Sequence, residues 1–224
     1  MFSVRYTMSV MATVGRPRSF DRDTALERAM LAFWERGYDG TSISDLTNVM
    51  GIEAPSLYAA FGDKQQLFAE AVHRYGTGPG SFTAVALAEA PTARAAVERL
   101  LHEAAGNYTK RGRPRGCMVI SANAQRAPES EQINAHLRKL RQATDDALRQ
   151  RIADDVATGE LPADTNVVAL ATFVSTVIAG MSNRARDGAT RQQLQAVAKT
   201  AMAAWPEEPT KRSTPSPRRS RTHR

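Results

Sequence analysis

Cysteine occurs once in the 224 residues, at Cys117, so no internal disulfide can form; this suits a reducing, cytoplasmic setting. The four histidines, His73, His102, His136 and His223, are scattered, and no pair of His or Cys has ligand spacing. No metal and no cofactor are therefore expected. A nucleophile elbow, a phosphate-binding glycine loop and a carboxylate pair in a defined frame are also missing, so no catalytic residue is assigned and no enzyme is expected. No apolar stretch reaches membrane-spanning length, no strand-like alternation appears, and there is no internal repeat. A membrane partner is not expected.

What is present is a helical pattern with its charge in unexpected places. The formal net charge is +7. Arg5, Arg16 and Arg18 stand without an acid in residues 1–20. Lys211, Arg212, Arg218, Arg219, Arg221 and Arg224 stand against Glu207 and Glu208 in residues 206–224. These two ends account for the whole excess, and the body between them is balanced. Nonspecific phosphate attraction belongs to the ends, so specificity must come from shape. Residues 1–14 read as a disordered arm and 206–224 as a disordered basic tail in which Pro, Ser, Thr and Arg leave no core to pack.

Between these ends the spacing predicts helices throughout. Asp21 caps a first helix with Leu26, Ala29, Met30 and Phe33 inward, stopped by Gly37. Thr41 or Ser42 caps a second, with Ile43, Leu46 and Val49 as its buried side and Gly51 as its stop. Pro55 fits the first turn of a third, which Leu57 and Phe61 anchor. Asp63 and Gln66 form a capping-box pattern for a fourth. After the turn-rich stretch 76–81, longer helices are expected over 91–108, 117–127, 130–156, 168–181 and 190–205. The helix over 168–181 is apolar nearly all round, which predicts burial on several sides.

Helix, tight Gly turn, helix over residues 41–61 is the arrangement that lays a second helix in a DNA major groove. With Leu57 and Phe61 turned inward, Ala54, Pro55, Ser56, Tyr58 and Ala59 face outward. Ser56 can bond a base edge or a phosphate, the Tyr58 hydroxyl suits a phosphate, and alanines permit close approach or contact a thymine methyl. Lys64, beside exposed N–H groups at the start of the fourth helix, and Ser42, at the start of the second, add phosphate donors. Arg16 and Arg18 of the arm are candidates for minor-groove or backbone contact. A merely structural bundle would leave Pro55, Tyr58 and Lys64 unexplained. Residues 16–75 hold seven basic and nine acidic side chains, so this unit does not grip DNA by charge alone.

Gly15-Arg-Pro-Arg18, Phe33-Trp34-Glu35-Arg36-Gly37-Tyr38, Thr41-Ser-Ile43, Gly51-Ile52, Ser56-Leu-Tyr58, Phe61 and Lys64-Gln-Gln-Leu-Phe68 resemble the tetracycline-repressor (TetR) family of one-component bacterial regulators. The resemblance implies an all-α homodimer. Its N-terminal three-helix helix-turn-helix DNA-binding domain would span 15–75, and a larger C-terminal helical effector-binding and dimerisation domain would span 76–205. In that family the positions matching Ala54, Pro55, Ser56, Tyr58, Ala59 and Lys64 commonly meet DNA, and repression is the commonest outcome. Ala59 and Ala60 are smaller than the residues many members carry there.

Two uses compete for the apolar excess of the second domain. Phe173, Val174, Val177 and Met181 with Leu194, Val197 and Ala201 can give two helices per subunit to a four-helix dimer interface. Leu101, Tyr108, Ile120, Asn123, Leu140, Thr144 and Phe173 can line a pocket for a small-molecule effector. Arg111-Gly-Arg-Pro-Arg115 has the composition of a minor-groove hook but lies between two helices of the second domain, so it reads as a solvent loop. Cys117, at a helix start, reads as a small buried filler, with a thiol sensor as the alternative. The partners expected are double-stranded DNA, a second copy of the chain and a small apolar effector. An architectural DNA-binding protein without an effector, and a ligand-binding or adaptor module, are the rival classes.

Overall fold

Asp21 starts the first helix by accepting hydrogen bonds from the backbone N–H groups of Asp23 and Thr24, and its carboxyl is held below the usual range by the Thr24 hydroxyl and these N–H groups. The computed structural model describes residues 20–121 and 130–206. Helix α1 spans Arg22–Arg36, α2 Ile43–Met50, α3 Ala54–Phe61 and α4 Lys64–Thr77. Ser42 and Asp45 form a reciprocal capping box on α2, as Asp63 and Gln66 do on α4. Gly51 ends α2 at φ 70°, where a glycine pays no Cβ penalty. Val49 departs from expectation: it is exposed, and Met50 takes the inward place one residue on.

Beyond α4 follow α5 (Phe82–Glu89), α6 (Ala93–Asn107), the short α7 (Met118–Ser121), α8 (Glu131–Thr158), α9 (Val167–Arg186) and α10 (Arg191–Ala203). No strand occurs among the described residues. Helix α5 has no counterpart among the sequence-based expectations, because only Phe82 and Ala86 are buried and eight residues give too short a stripe. Asn166 caps α9, which starts one residue before the expected 168 and runs past 181 to Arg186. Of the helix expected over 117–127, Met118–Ser121 is seen; residues 122–127 lie outside the described residues.

The interior divides into two hydrophobic clusters. One joins α5, α6, α9, α10 and the C-terminal half of α8, through Leu100, Leu101, Tyr108, Ile152, Val174, Met181 and Leu194. The other gathers α1–α4 around Phe33, Leu46, Leu57 and Phe68 and also takes in Met118, Ile133 and Leu137. The start of α8 therefore packs with the helix-turn-helix and its end with the second half. Cys117 packs against both clusters, near the buried Tyr75 and Tyr108. Burial, then Cys117, raises both phenols well above their ordinary pKa. This half-buried site fits the filler role.

Helix α9 is not surrounded. Ala171, Val174, Met181, Ser182 and Ala185 face inward, while Val168 is 61% and Phe173 38% exposed. Contrary to expectation, α9 is long and apolar enough to cross a membrane by length and composition. Here it packs against α6, α7, α8 and α10.

Candidate nucleic-acid interface

The surface that α3 presents is set by what lies beneath it. Leu57 is fully buried and Phe61 nearly so, whereas Tyr58, next to Leu57, is 50% exposed. One side of a two-turn helix is thus fixed to α1, α2 and α4, and the other carries Pro55, Tyr58 and Ala59 outward, with Ala54 and Ser56 half-buried beside them. Pro55 stands at the start of α3, where its missing N–H breaks no helical bond.

Helix α1 holds this unit through arginines. Arg22 Nη2 lies 2.8 Å from both Glu70 carboxylate oxygens on α4, donates to the Ala60 carbonyl at 3.2 Å, and its guanidinium covers the Phe61 ring at 4.4 Å. Arg28 reaches the Met50 carbonyl at 3.4 Å, Arg36 pairs with Asp45 at 3.2 Å, and Arg74 of α4 pairs with Glu27 of α1 at 2.6 Å. The basic residues of the unit thus brace it internally, which accords with its weak net charge.

Two of the expected phosphate donors are engaged. The Ser42 hydroxyl donates to Asp45 Oδ2 at 2.6 Å and accepts from the Asp45 N–H, so its one proton is committed to the cap. The Ser42 hydroxyl, and after it the Ser42 backbone N–H, hold the Asp45 carboxyl below its usual pKa. The Lys64 ammonium sits over the Tyr38 ring at 4.3 Å, and partial burial lowers its pKa. Arg16 and Arg18 lie outside the described residues.

Contacts that no spacing rule finds tie this unit to the second half. Ser130 donates to Asp39 at 2.7 Å, Gln65 to Gln132 at 2.7 Å, and Arg186 to the Trp34 and Glu35 carbonyls at 3.2 and 3.1 Å. Their partners are 67 to 152 positions apart. The solvent-loop reading of 111–115 is corrected: Arg115 donates to the Ala185 and Ala189 carbonyls and Arg113 to Asn107, leaving Arg111 outside. Gly116 lets this loop approach α9 closely, and the Cys117 N–H then reaches Ser182 Oγ at 2.9 Å.

The described residues among those expected to line an effector pocket lie in different surroundings. Leu101 and Tyr108 belong to the core of the chain's second half, Leu140 packs against the helix-turn-helix cluster, Ile120 is half-buried, Thr144 and Phe173 are exposed, and Asn123 lies outside the described residues. Thr144 is exposed although it precedes Leu148 and Ile152 on the same stripe of α8. The expected dimer face also divides. Val174, Met181, Leu194 and Ala201 fill the chain's own core, since they share the inner stripes of α9 and α10. Phe173 and Val197 are exposed, Val177 is half-buried, and Val168, which was not expected, is the most open of the exposed large apolar side chains.

Residues 25–71 match the family described as bacterial regulatory proteins, tetR family, and residues 80–203 match the tetracyclin repressor-like C-terminal domain. The HTH-type transcriptional repressor ComR of Escherichia coli (strain K12) is 35% identical over 202 residues, covering 90% of this chain and 96% of ComR. The HTH-type transcriptional repressor BdcR of the same strain is 32% identical, over 82% of this chain and 88% of BdcR. Among solved structures, a cysteine mutant of the TetR family regulator CifR complexed with 26-bp double-strand operator DNA has a TM-score of 0.81 and 46% identity, covering 85% of this chain and 100% of that one. With an exposed α3 on a braced three-helix unit and both halves matched, the chain belongs to the TetR family of DNA-binding transcriptional regulators and is not an enzyme.

Proposed function

We propose that the chain is a repressor that binds a palindromic operator as a homodimer and is released by a small apolar effector. The observation that carries this reading is the contrast within α3, a buried Leu57 beside a half-exposed Tyr58, in a chain similar to CifR, which is complexed with operator DNA. The repressor names of ComR and BdcR support the sign of regulation.

In this reading residues 15–75 form the DNA-binding domain and 76–205 the effector-binding and dimerisation domain. Two copies of α3 enter successive major grooves, their centres about 34–36 Å apart or a multiple of that. Pro55, Ser56, Tyr58 and Ala59 meet the DNA, with Ala54 at the helix start. Lys64 leaves the Tyr38 ring for a phosphate, Ser42 contributes through its exposed helix end, and Arg16 and Arg18 follow the backbone or the minor groove. The second copy packs on the open side of α9 and α10, where Val168, Phe173 and Val197 are exposed. The effector is held in the second half; to reach Leu101 and Tyr108, which are core residues here, it must part the helices around them. It acts by favouring one spacing of the two α3 helices over another.

Selection from random double-stranded DNA tests this. The expected result is an inverted repeat with half-sites one turn or a whole number of turns apart, bound by a particle of twice the chain mass. Recovery of DNA without sequence preference would favour an architectural protein instead.

A further inference from the structure

At the junction of the two halves, away from the α3 surface, an open cleft of about 300 Å³ is lined by Glu35, Arg113, Pro114, Arg115 and Arg186. Three guanidinium groups and one carboxylate share it. None of the three arginines, nor Glu35, makes an ion pair among the described residues. Their partners are neutral acceptors: Asn107 for Arg113, the Ala185 and Ala189 carbonyls for Arg115, and the Trp34 and Glu35 carbonyls for Arg186.

Neutral carbonyls satisfy hydrogen bonds without cancelling charge. Each guanidinium has five N–H donors in a rigid fork, so every one of the three keeps donors to spare. Arg113 Nε is itself buried with no partner, although the guanidinium lies 5.6 Å from the Trp34 ring centroid. A structural role accounts for the backbone bonds of Arg115 and Arg186. It does not account for the uncompensated positive charge around a cleft. A planar or tetrahedral oxyanion supplies what is missing, since guanidinium forks match carboxylate and phosphate geometry.

We propose that this cleft binds a small oxyanion of the carboxylate or phosphate class, held by Arg113 together with Arg115 and Arg186. The site is separate from the apolar effector of the regulator reading. Arg186 already clasps the last carbonyls of α1, and α1 braces α2, α3 and α4, so an anion here bears on the helix that carries the DNA-facing unit.

The test is a titration of the full chain without DNA, at constant ionic strength, with inorganic phosphate in one arm, succinate in a second and chloride as the reference. Tryptophan fluorescence gives the readout, compared between the parent and Trp205→Phe so that the part due to Trp34, over whose ring the Arg113 guanidinium lies, is isolated. The expected result is a saturable change with phosphate or succinate beyond that with chloride, and the arm that saturates at the lower concentration identifies the anion class. Arg113→Gln should weaken it at least tenfold, whereas Glu35→Gln, which removes the cleft's one negative charge, should tighten it severalfold. Glu35 is exposed, so its variant decides the matter even if the arginine variant does not fold. No saturation beyond chloride in either arm, or unchanged affinity in Glu35→Gln, would overturn the proposal.

Discussion

Arg22 Nη2 stands 2.8 Å from both carboxylate oxygens of Glu70, and the same guanidinium donates to the Ala60 carbonyl at the end of α3. One side chain therefore joins α1, α3 and α4. The ion pair is about a third exposed on each side, which keeps its own worth within ~1 kcal/mol. The Ala60 bond and the contact over Phe61 add to it. Arg22→Ala should cost about 1–2 kcal/mol in denaturant unfolding, and Glu70→Gln about half that. Equal losses from the two would show that the carbonyl and ring contacts contribute nothing.

Tyr58 is half-exposed, and its side chain makes no hydrogen bond among the described residues. Tyr58→Ala should change stability by less than about 0.5 kcal/mol and leave the particle mass unaltered. Operator affinity should fall roughly tenfold in a shift assay, about 1.4 kcal/mol. Unchanged affinity would move the DNA-facing surface elsewhere.

Leu57 is its structural opposite. Leu57→Ala empties a fully buried position and should cost about 2–5 kcal/mol, read as a lower midpoint in urea. A loss under 1 kcal/mol would mean that α3 is not anchored there.

Gly116 and Gly112 separate two kinds of glycine requirement. Both have positive φ, at 78° and 82°, but a Cβ at Gly116 would come within 2.8 Å of the Ser182 carbonyl oxygen, while one at Gly112 meets nothing within 4 Å. Gly112→Ala should cost only the left-handed strain, about 1–2 kcal/mol. Gly116→Ala should cost more, and the excess, measured by thermal unfolding, is the clash with α9.

The Asp45 carboxyl is held low first by the Ser42 hydroxyl, then by the Ser42 backbone N–H. A depressed acid stabilises the fold above its unfolded pKa of about 4, and that contribution is lost as pH falls through the native value. Asp45→Asn should therefore be less stable than the parent at pH 7, and the gap should close in acid. Urea midpoints at both ends of that range give the comparison, and a gap that widens in acid would refute the assignment.

Where local chemistry decides, residues and structure agree closely. Asp21, Ser42 and Asp63 cap α1, α2 and α4 because each side chain reaches N–H groups two or three positions on. Leu57 and Phe61, four apart, face one way for the same reason of short range. Val49 failed by a single step: on a helix of eight residues, burial of Met50 instead turns the stripe only slightly. The residues expected at the pocket and the dimer face divide between core and surface, because a helix apolar on most sides does not say which side its own chain will cover. Val174 and Phe173 are adjacent in sequence, yet one is core and the other surface.

The chain's residues alone determined the all-helical class, the caps of α1, α2 and α4, the stops of α1 and α2, and the side of α3 that stays exposed, since all these depend on hydrogen bonds and periodicities spanning a few positions. Only the tertiary structure decided which stripe of α9 faces inward, that Ser42 and Lys64 are already engaged, and that three arginines meet beside Glu35. Those outcomes depend on groups as far apart as Trp34 and Arg186, whose meeting is set by the packing of whole helices and leaves no local trace.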